Sequence, residues 1–286
     1  MNFKCKACLS NSNEIFIKHP KDREYFSKRL KPAKIIRCLN CQSYNQYPWP
    51  KTEELNKLYS DDYQNYVSSK IPFLSFLVKK YTKYSAKLFI KTSGKGKIIL
   101  DFGCGQGVFL KSLLDEGVED LYGFDFVEYE ENKDFRDINF YYSLDDIKLL
   151  TKKFDIIRLN HVIEHFCDLD LTIKILLTLL KDDGLIIGQT PNANHYTSKL
   201  WRDFWGNLHY PYHTIIFSKK GLSVLFERHE SKLIKTVGTN LTNGWALSIE
   251  NFIKEKLRLK VRGRTFFYIF LILISFPIST LDHLIR

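Results

Sequence analysis

Between residues 97 and 190, short apolar runs alternate with stretches whose apolar positions recur every three or four residues. KIILDF (97–102), DLYGFDF (120–126), INFYY (138–142), FDIIRLN (154–160) and LIIGQT (185–190) read as strands. GVFLKSLLDEG and LTIKILLTLLKDDG read as helices, the second stopping on Gly184. Strands alternating with helices predict a parallel, doubly wound sheet, which takes its ligand beyond the carboxyl ends of the strands. Upstream, residues 70–92 set Phe73, Phe76, Leu77, Tyr81, Tyr84 and Leu88 at helical spacing among lysines, predicting an amphipathic helix able to cap the sheet edge. TEELNKLYS predicts a shorter helix after the Pro48-Trp49-Pro50 break, with Thr52 as its N-cap and an incomplete capping box. Tyr59, Tyr63 and Tyr66 suit either a mobile entry segment over a site or helix packing. Downstream, ESKLIKTVG (230–238) fits a sixth strand, residues 239–264 read as helical, and no seventh strand follows.

With 286 residues, 44% of them hydrophobic and 15% aromatic, the chain has room for one α/β domain with smaller attachments, and disorder is not the default. Its net charge of +11 is unevenly placed. Residues 1–97 hold 20 basic against 7 acidic side chains, residues 98–250 hold 16 against 23, and residues 251–286 hold 7 against 2. An acidic body therefore lies between basic ends. MNFKCKACLS lacks the apolar run of a secretory leader, so a cytoplasmic, reducing location is expected. The cysteines fit that location: Cys5-x-x-Cys8 and Cys38-x-x-Cys41 form two knuckles 29 residues apart, the spacing of a tetrahedral Zn²⁺ thiolate site. Four unligated thiols or a redox pair are the weaker readings. The basic, aromatic stretch between the knuckles, KHPKDREYFSKRLKPAKIIR, suits either the solvated hairpin of a zinc ribbon or an RNA contact.

The chemistry begins in ILDFGCGQGVFL. A dinucleotide fingerprint would put its third glycine where Val108 stands; the glycines here are Gly103, Gly105 and Gly107. Asp101 sets a carboxylate at the strand end, where a phosphate-bearing ligand would be repelled. The expected ligand carries a cation and no phosphate, as S-adenosylmethionine (SAM) does, with its methionine part against Gly103 and Gly105 and its positive end toward Asp101. Asp125, closing the second strand, is placed to accept both ribose hydroxyls, with Phe126 beside it to pack on adenine.

LDFGCGQG, YGFDF, FDIIRLNHVIEHFCD and DDGLIIGQTPN, in this order and spacing, resemble the class I SAM-dependent methyltransferase family over residues 97–238. The branch is the one that includes ubiquinone-type O-methyltransferases and many surface-glycan and natural-product enzymes. The resemblance implies a seven-stranded (or six-stranded) Rossmann-like sheet, SAM as methyl donor, and an acceptor over the ends of strands four and five. Its cofactor-binding set is Asp101, Gly103, Cys104, Gly105, Gly107, Asp125, Phe126, Asp145 and Asn160. In ubiquinone-type relatives, positions matching His161, Glu164 and His165 bind a divalent metal through Glu, Glu and His; here His161 replaces an acid, so a structural or substrate-orienting role or a general base competes with the metal. A second cluster, His195, Trp201, Trp205, His209 and His213, precedes a helix that Ser218 would cap, and aromatics beside histidines suit an acceptor pocket. His209 and His213 are the base candidates, and the catalytic set is His161, Glu164, His165, His209 and His213. An N-terminal zinc module looks like the architecture of sugar C-methyltransferases and of some ribosomal RNA guanine methyltransferases. The implied organisation is a zinc-ribbon-like module (1–50), a helical linker and lid (51–96), a SAM-binding domain (97–244), and a basic helix with an apolar tail (245–286).

That tail departs from the family. Residues 265–281, TFFYIFLILISFPISTL, form an uncharged 17-residue run broken by Pro277, just after Lys254, Lys256, Arg258, Lys260, Arg262 and Arg264. A helix or hairpin embedded in an anionic membrane surface is expected, ahead of a core helix or a full span. Three functions compete: methylation of a small-molecule or glycan acceptor near the inner membrane face, RNA methylation using the basic N-terminal part, and a SAM-binding scaffold without turnover.

Overall fold

Two tight turns carry the cysteine knuckles, the first ahead of any strand and the second inside a hairpin. The computed structural model describes residues 3–26, 32–58, 72–130, 132, 135–238, 242–265 and 267–285. Tyr59, Tyr63 and Tyr66 lie outside the described residues. Two compact units are present: one comprises residues 1–66, 164–167 and 191–286, the other residues 67–163 and 168–190.

In the first unit, β1 (Asn13–Ile17), β2 (Lys34–Cys38) and β3 (Tyr44–Tyr47) pair antiparallel. The short helix α1 (Thr52–Asn56) starts one residue earlier than its capping signal implies. Lys51 therefore takes the N-cap, and Glu54 closes a capping bond by accepting the Lys51 N–H at 3.0 Å.

The second unit starts with α2 (Pro72–Ser93), followed by β4 (Ile99–Phe102), α3 (Val108–Asp115), β5 (Leu121–Phe124), β6 (Asn139–Tyr141), α4 (Leu144–Lys148), β7 (Phe154–Asn160), α5 (Leu169–Leu179) and β8 (Leu180–Gln189). The sheet runs β6-β5-β4-β7-β8, all parallel. β4 is buried along its whole length because helices cover both faces of a doubly wound sheet. Ile99, Leu110, Leu113, Val118 and Leu121 pack into one cluster there. Among the described residues this sheet has five strands, not the six or seven implied, and 231–238 is irregular rather than a sixth strand. The α5–β8 boundary also differs from expectation: the helix stops at Leu179 because Leu180 already pairs with Phe154, and a register shift takes up the residues before Leu185.

The amphipathic helix α2 packs with the opposite face from the one expected. Ala86, Phe89 and Ile90 join the core, Phe89 meeting Phe109 edge-on at 5.6 Å. Phe76, Tyr81, Tyr84 and Leu88 are exposed, while the side chains of Phe73 and Leu77 lie outside the described ones.

Back in the first unit come α6 (Tyr196–Trp201), β9 (Ile215–Ile216), α7 (Lys219–Glu227), α8 (Thr242–Lys256) and α9 (Tyr268–Ile285). β9 adds to β3, with Tyr44 opposite Ile216, so residues far apart in sequence share one four-stranded sheet. Trp205, Tyr44, Phe16 and Ile216 fill its core. Ser218 caps α7 as expected, accepting the Gly221 N–H at 2.8 Å.

Candidate functional site

The loop after β4 is held open by its own main chain. Gly103, Gly105 and Gly107 all take left-handed φ, at 85°, 53° and 69°. Their reasons for being glycine differ. A Cβ on Gly103 would sit 2.4 Å from Val162 Cγ2, and one on Gly107 would sit 2.9 Å from Phe140 Cζ, so packing excludes a side chain at both. A Cβ on Gly105 would meet nothing within 4 Å, so only at Gly105 does the backbone face open space.

Asp125 follows β5 and ties this loop down. Its Oδ2 accepts the Gly105 N–H at 2.9 Å and its Oδ1 accepts the Val127 N–H at 3.1 Å. Each oxygen keeps a second lone pair, so the carboxylate can hold the loop and still accept a hydroxyl. Burial pushes the Asp125 carboxyl up from its ordinary range, against the backbone N–H groups that favour its charge. Phe126 stands 59% exposed beside it, edge-on to Phe124, available as a stacking face. Asn132, which the sequence reading missed, is buried and donates Nδ2–H to the Gly105 carbonyl at 3.2 Å. Its Oδ1 is buried without a hydrogen-bond partner, an acceptor left for a ligand donor.

Three expected cofactor positions read differently. Asp101 is 1% exposed and its Oδ1 accepts from Arg158 Nη1 at 2.8 Å, so the charge expected to meet the donor's cation is paired inside the sheet. Burial raises its carboxyl and Arg158 opposes that rise. Asp145 sits in the first turn of α4, with an exposed side chain paired to Lys148. The Cys104 thiol is pushed well up by burial and by the Asp101 and Asp125 charges, which keeps it a neutral packing group. Asn160 ends β7 opposite Gln189, and His161, at φ 55°, donates its N–H to the Gln189 carbonyl at 2.7 Å. Gly105, Asp125, Phe126 and Asn132 thus present an open main-chain bend, a buried carboxylate, an aromatic face and an orphan acceptor. That set fits a nucleoside carrying hydroxyls and a cation.

The first unit holds a second cluster of candidate residues. Glu164, His165, His209 and His213 come together, as the ring distances show: His165 to His213 4.7 Å, His209 to His213 5.0 Å, His165 to His209 6.4 Å. Main-chain bonds set the arrangement. The Thr214 N–H and Oγ1 both donate to the Glu164 carbonyl, and the same hydroxyl reaches the Phe166 carbonyl. The His213 N–H donates to the His209 carbonyl, which places the two rings side by side. His165 Nδ1 lies 3.1 Å from the Tyr212 carbonyl and His213 Nδ1 lies 2.9 Å from the Asn207 carbonyl. A carbonyl has no proton to give, so both Nδ1 atoms carry hydrogen and each neutral ring presents Nε2 as its basic atom. Glu164, fully buried, places Oε1 4.0 Å from His213 Nε2. Glu164, His165 and His213 also hold ligand atoms within 4.8 Å of one another, a set able to bind a divalent cation. His161, expected to group with Glu164 and His165, falls in the other compact unit.

His209 faces a different partner, Glu24 Oε1 at 3.0 Å. Burial works against its imidazolium, but the Glu24 charge and hydrogen bond outweigh that and hold its pKa above the usual 6.5. Burial would likewise raise Glu24; His209, with Arg264 and Lys254, holds it below 4.5 instead. Of the remaining residues expected in an acceptor pocket, Trp205 is 1% exposed with its Nε1–H on Thr197 Oγ1 at 3.0 Å, and His195 is a buried N-cap of α6. Both are core residues. Trp201 is partly buried against the same core.

The four N-terminal cysteines converge as their spacing predicts. Cys5 Sγ lies 3.6 Å from Cys41 Sγ, and Cys8 Sγ lies 3.5 Å from Cys38 Sγ. Four sulfurs about 2.3 Å from one tetrahedral Zn²⁺ would stand roughly 3.8 Å apart, so the set fits that metal. Asn45 Nδ2 donates to Cys5 Sγ at 3.5 Å, the kind of outer hydrogen bond that orients a thiolate ligand. The hydrogen bond between Cys5 and Cys41 lowers the Cys41 thiol and raises that of Cys5.

A five-stranded parallel sheet with an open glycine loop after β4 and a carboxylate after β5 defines a Rossmann-like nucleoside-binding α/β protein. Among families, one described as a methyltransferase domain matches residues 73–236, more than half of the chain. The chain belongs to this methyltransferase-domain family, in keeping with its resemblance to class I SAM-dependent methyltransferases. Among solved structures it is similar to the 1,6-didemethyltoxoflavin-N1-methyltransferase of Burkholderia thailandensis with bound 1,6-didemethyltoxoflavin and S-adenosylhomocysteine (14% identity, TM-score 0.49, 75% of this chain and 90% of that one). It is similar also to the magnesium protoporphyrin IX methyltransferase of Synechocystis PCC 6803 with bound S-adenosylhomocysteine (17% identity, TM-score 0.44, 64% and 84%). A third is the CcbJ methyltransferase of Streptomyces caelestis (16% identity, TM-score 0.34, 39% of this chain); the chain spans about half of that protein, 49%. No curated protein matches the chain.

Proposed function

We propose that the protein transfers a methyl group from SAM to a small-molecule or glycan acceptor, drawn from a lipid-linked or membrane-proximal pool such as that of surface-polysaccharide synthesis. The observation carrying the first part is the loop around Gly105, which joins an open bend to a buried Asp125 carboxylate and the orphan Asn132 oxygen. SAM, when bound, supplies an electrophilic methyl on a sulfonium. The chain's own residues do the rest. Gly105, Asp125, Phe126 and Asn132 hold the donor's methionine and nucleoside parts. His213 and His165 accept the acceptor's proton at Nε2, and the Glu164 charge stabilises the imidazolium that results. A base of this kind matters most for a hydroxyl acceptor, and the remaining rate comes from alignment and exclusion of water. The four cysteines hold a structural Zn²⁺ in a reducing cytoplasmic setting.

RNA as acceptor is less well supported, because two of the cations between the knuckles are spent internally. Arg23 is buried and pairs with Asp203 and Glu255, and Lys21 pairs with Glu255. Incubation of the protein with methyl-labelled SAM and fractionated cell extract tests the proposal. Label is expected in a glycan or small-molecule fraction and to vanish with His213→Ala. Label confined to RNA, or no label while SAM still binds, would overturn it.

A further inference from the structure

The C-terminal helix α9 is apolar on two opposite faces, and among the described residues only one is covered. Tyr268 and Leu271 are buried against Ala246 and Leu247 of α8, and Thr265 N–H on Glu250 together with Gly263 N–H on the Glu24 carbonyl fixes the segment that enters the helix. On the other face, Phe270 is 61% exposed and Leu273 66%. A helix whose free face lay in water would carry charges there, yet residues 265–281 contain none.

The stretch leading into α9 is Leu257-Arg258-Leu259-Lys260-Val261, alternately apolar and basic, and all five residues are exposed. The acid beside it, Glu255, is occupied by Lys21 and Arg23. Lys254, expected to join this cationic flank, is buried against Glu250 and the Gly263 carbonyl, so the outward charge comes from Lys256, Arg258 and Lys260. Outward cations without an acidic partner among the described residues, next to a broad apolar face, match the layered chemistry of an anionic bilayer surface, phosphate outside and acyl chain beneath. A protein partner or a second copy would have to bring both acids and a matching apolar groove. Crossing is not the geometry: among the described residues no helix is long and apolar enough to span a membrane.

We propose that the outer face of α9 and the 257–261 strip seat the protein on an anionic phospholipid surface, with α9 lying in the interface plane. The lipid-linked source of the acceptor in the proposed function rests on this face; methyl transfer itself does not.

The test is sedimentation of the full chain with phosphatidylcholine vesicles, with and without phosphatidylglycerol. Binding is expected only to the anionic vesicles. Arg258→Glu or Lys260→Glu should weaken it about fivefold each, and Phe270→Asp with Leu273→Asp at least about tenfold. The calorimetric melting transition of the cysteine-bearing unit, unchanged in these variants, reports that they fold. Should the aspartate pair misfold, Phe270→Trp serves instead: its emission should shift to the blue and be quenched by brominated acyl chains only with anionic vesicles. Absence of vesicle binding, binding insensitive to both groups of substitutions, or a dimer that Phe270→Asp dissolves would each overturn the proposal. If vesicle binding fails while labelled methyl still reaches a soluble acceptor, the seating falls and the methyltransferase reading stands.

Discussion

The donor loop and the histidine cluster are built on opposite principles. The loop draws on a short run, residues 101–125 plus Asn132, and its shape follows from local backbone conformation after a buried strand. The cluster gathers Glu24, Glu164–His165 and His209–His213, with Glu24 and its partner His209 185 positions apart. A locally encoded site survives distant damage. A cluster assembled from three segments depends on everything that holds those segments together, and here that includes the cysteine knuckles.

The sharpest way to break this comparison is to strip the metal. Zinc sites of this kind contribute on the order of 10 kcal/mol to folding. Chelation should therefore melt the cysteine-bearing unit in a separate, low-temperature calorimetric transition, while the heat of SAM binding persists. A single transition whose loss abolishes SAM binding as well would show the two units to be interdependent. Next in size, His213→Ala should lower kcat by roughly 10²- to 10⁴-fold with an unchanged SAM Kd, as removal of a general base does. Glu164→Gln should lower it less and shift the pH–rate profile. A change in SAM Kd with kcat intact would reverse the assignment.

Gly103→Ala attacks the other partner in the comparison. It forces a Cβ to within 2.4 Å of Val162 at a left-handed φ, and should cost about 1–3 kcal/mol and most of the SAM affinity. Gly105→Ala meets no neighbour, so any loss of SAM binding beyond its backbone strain measures the ligand's own approach to that bend.

The smallest expected effect is the pH response of the Glu24–His209 pair. Glu24's lowered pKa gives stability that is full above about 4.5 and lost as pH falls through its folded value; the raised pKa of His209 gives stability that is full below about 6.5 and lost as pH rises through its folded value. Both contributions are thus complete only between roughly pH 4.5 and 6.5. Glu24→Gln should lower Tm there by about 2–4 °C and flatten its fall on the alkaline side. An unchanged Tm–pH curve would refute the pairing.

Much of the sheet and donor loop was legible in the sequence because its signals are short-range. A buried run, a glycine at every second place and an acid closing the next strand lie within 25 residues. What was not legible depends on partners. Periodicity found the residues of α2 that share a face but chose the wrong face for the core, since Tyr81, Tyr84 and Leu88 look as apolar as Phe89 and Ile90. The spacing of His209 and His213 placed them near each other, but nothing in the sequence joined Glu24 to His209 or Arg158 to Asp101. Asn132 sits in a stretch without periodicity, and its role is set by the Gly105 carbonyl it meets. The missing sixth and seventh strands have no substitute among the described residues of that sheet.

Helix α7 is gripped at both ends. Its cap Ser218 donates to the Cys41 carbonyl and takes its own N–H to Ser43 Oγ, Lys220 reaches the Asn40 carbonyl, and Arg228 donates to the carbonyls of Lys6 and Ala7. Both knuckles are thereby buckled onto one rod whose leading strand, β9, begins two residues after His213. Unfolding of the two knuckles would therefore take the grip from both ends of α7 at once.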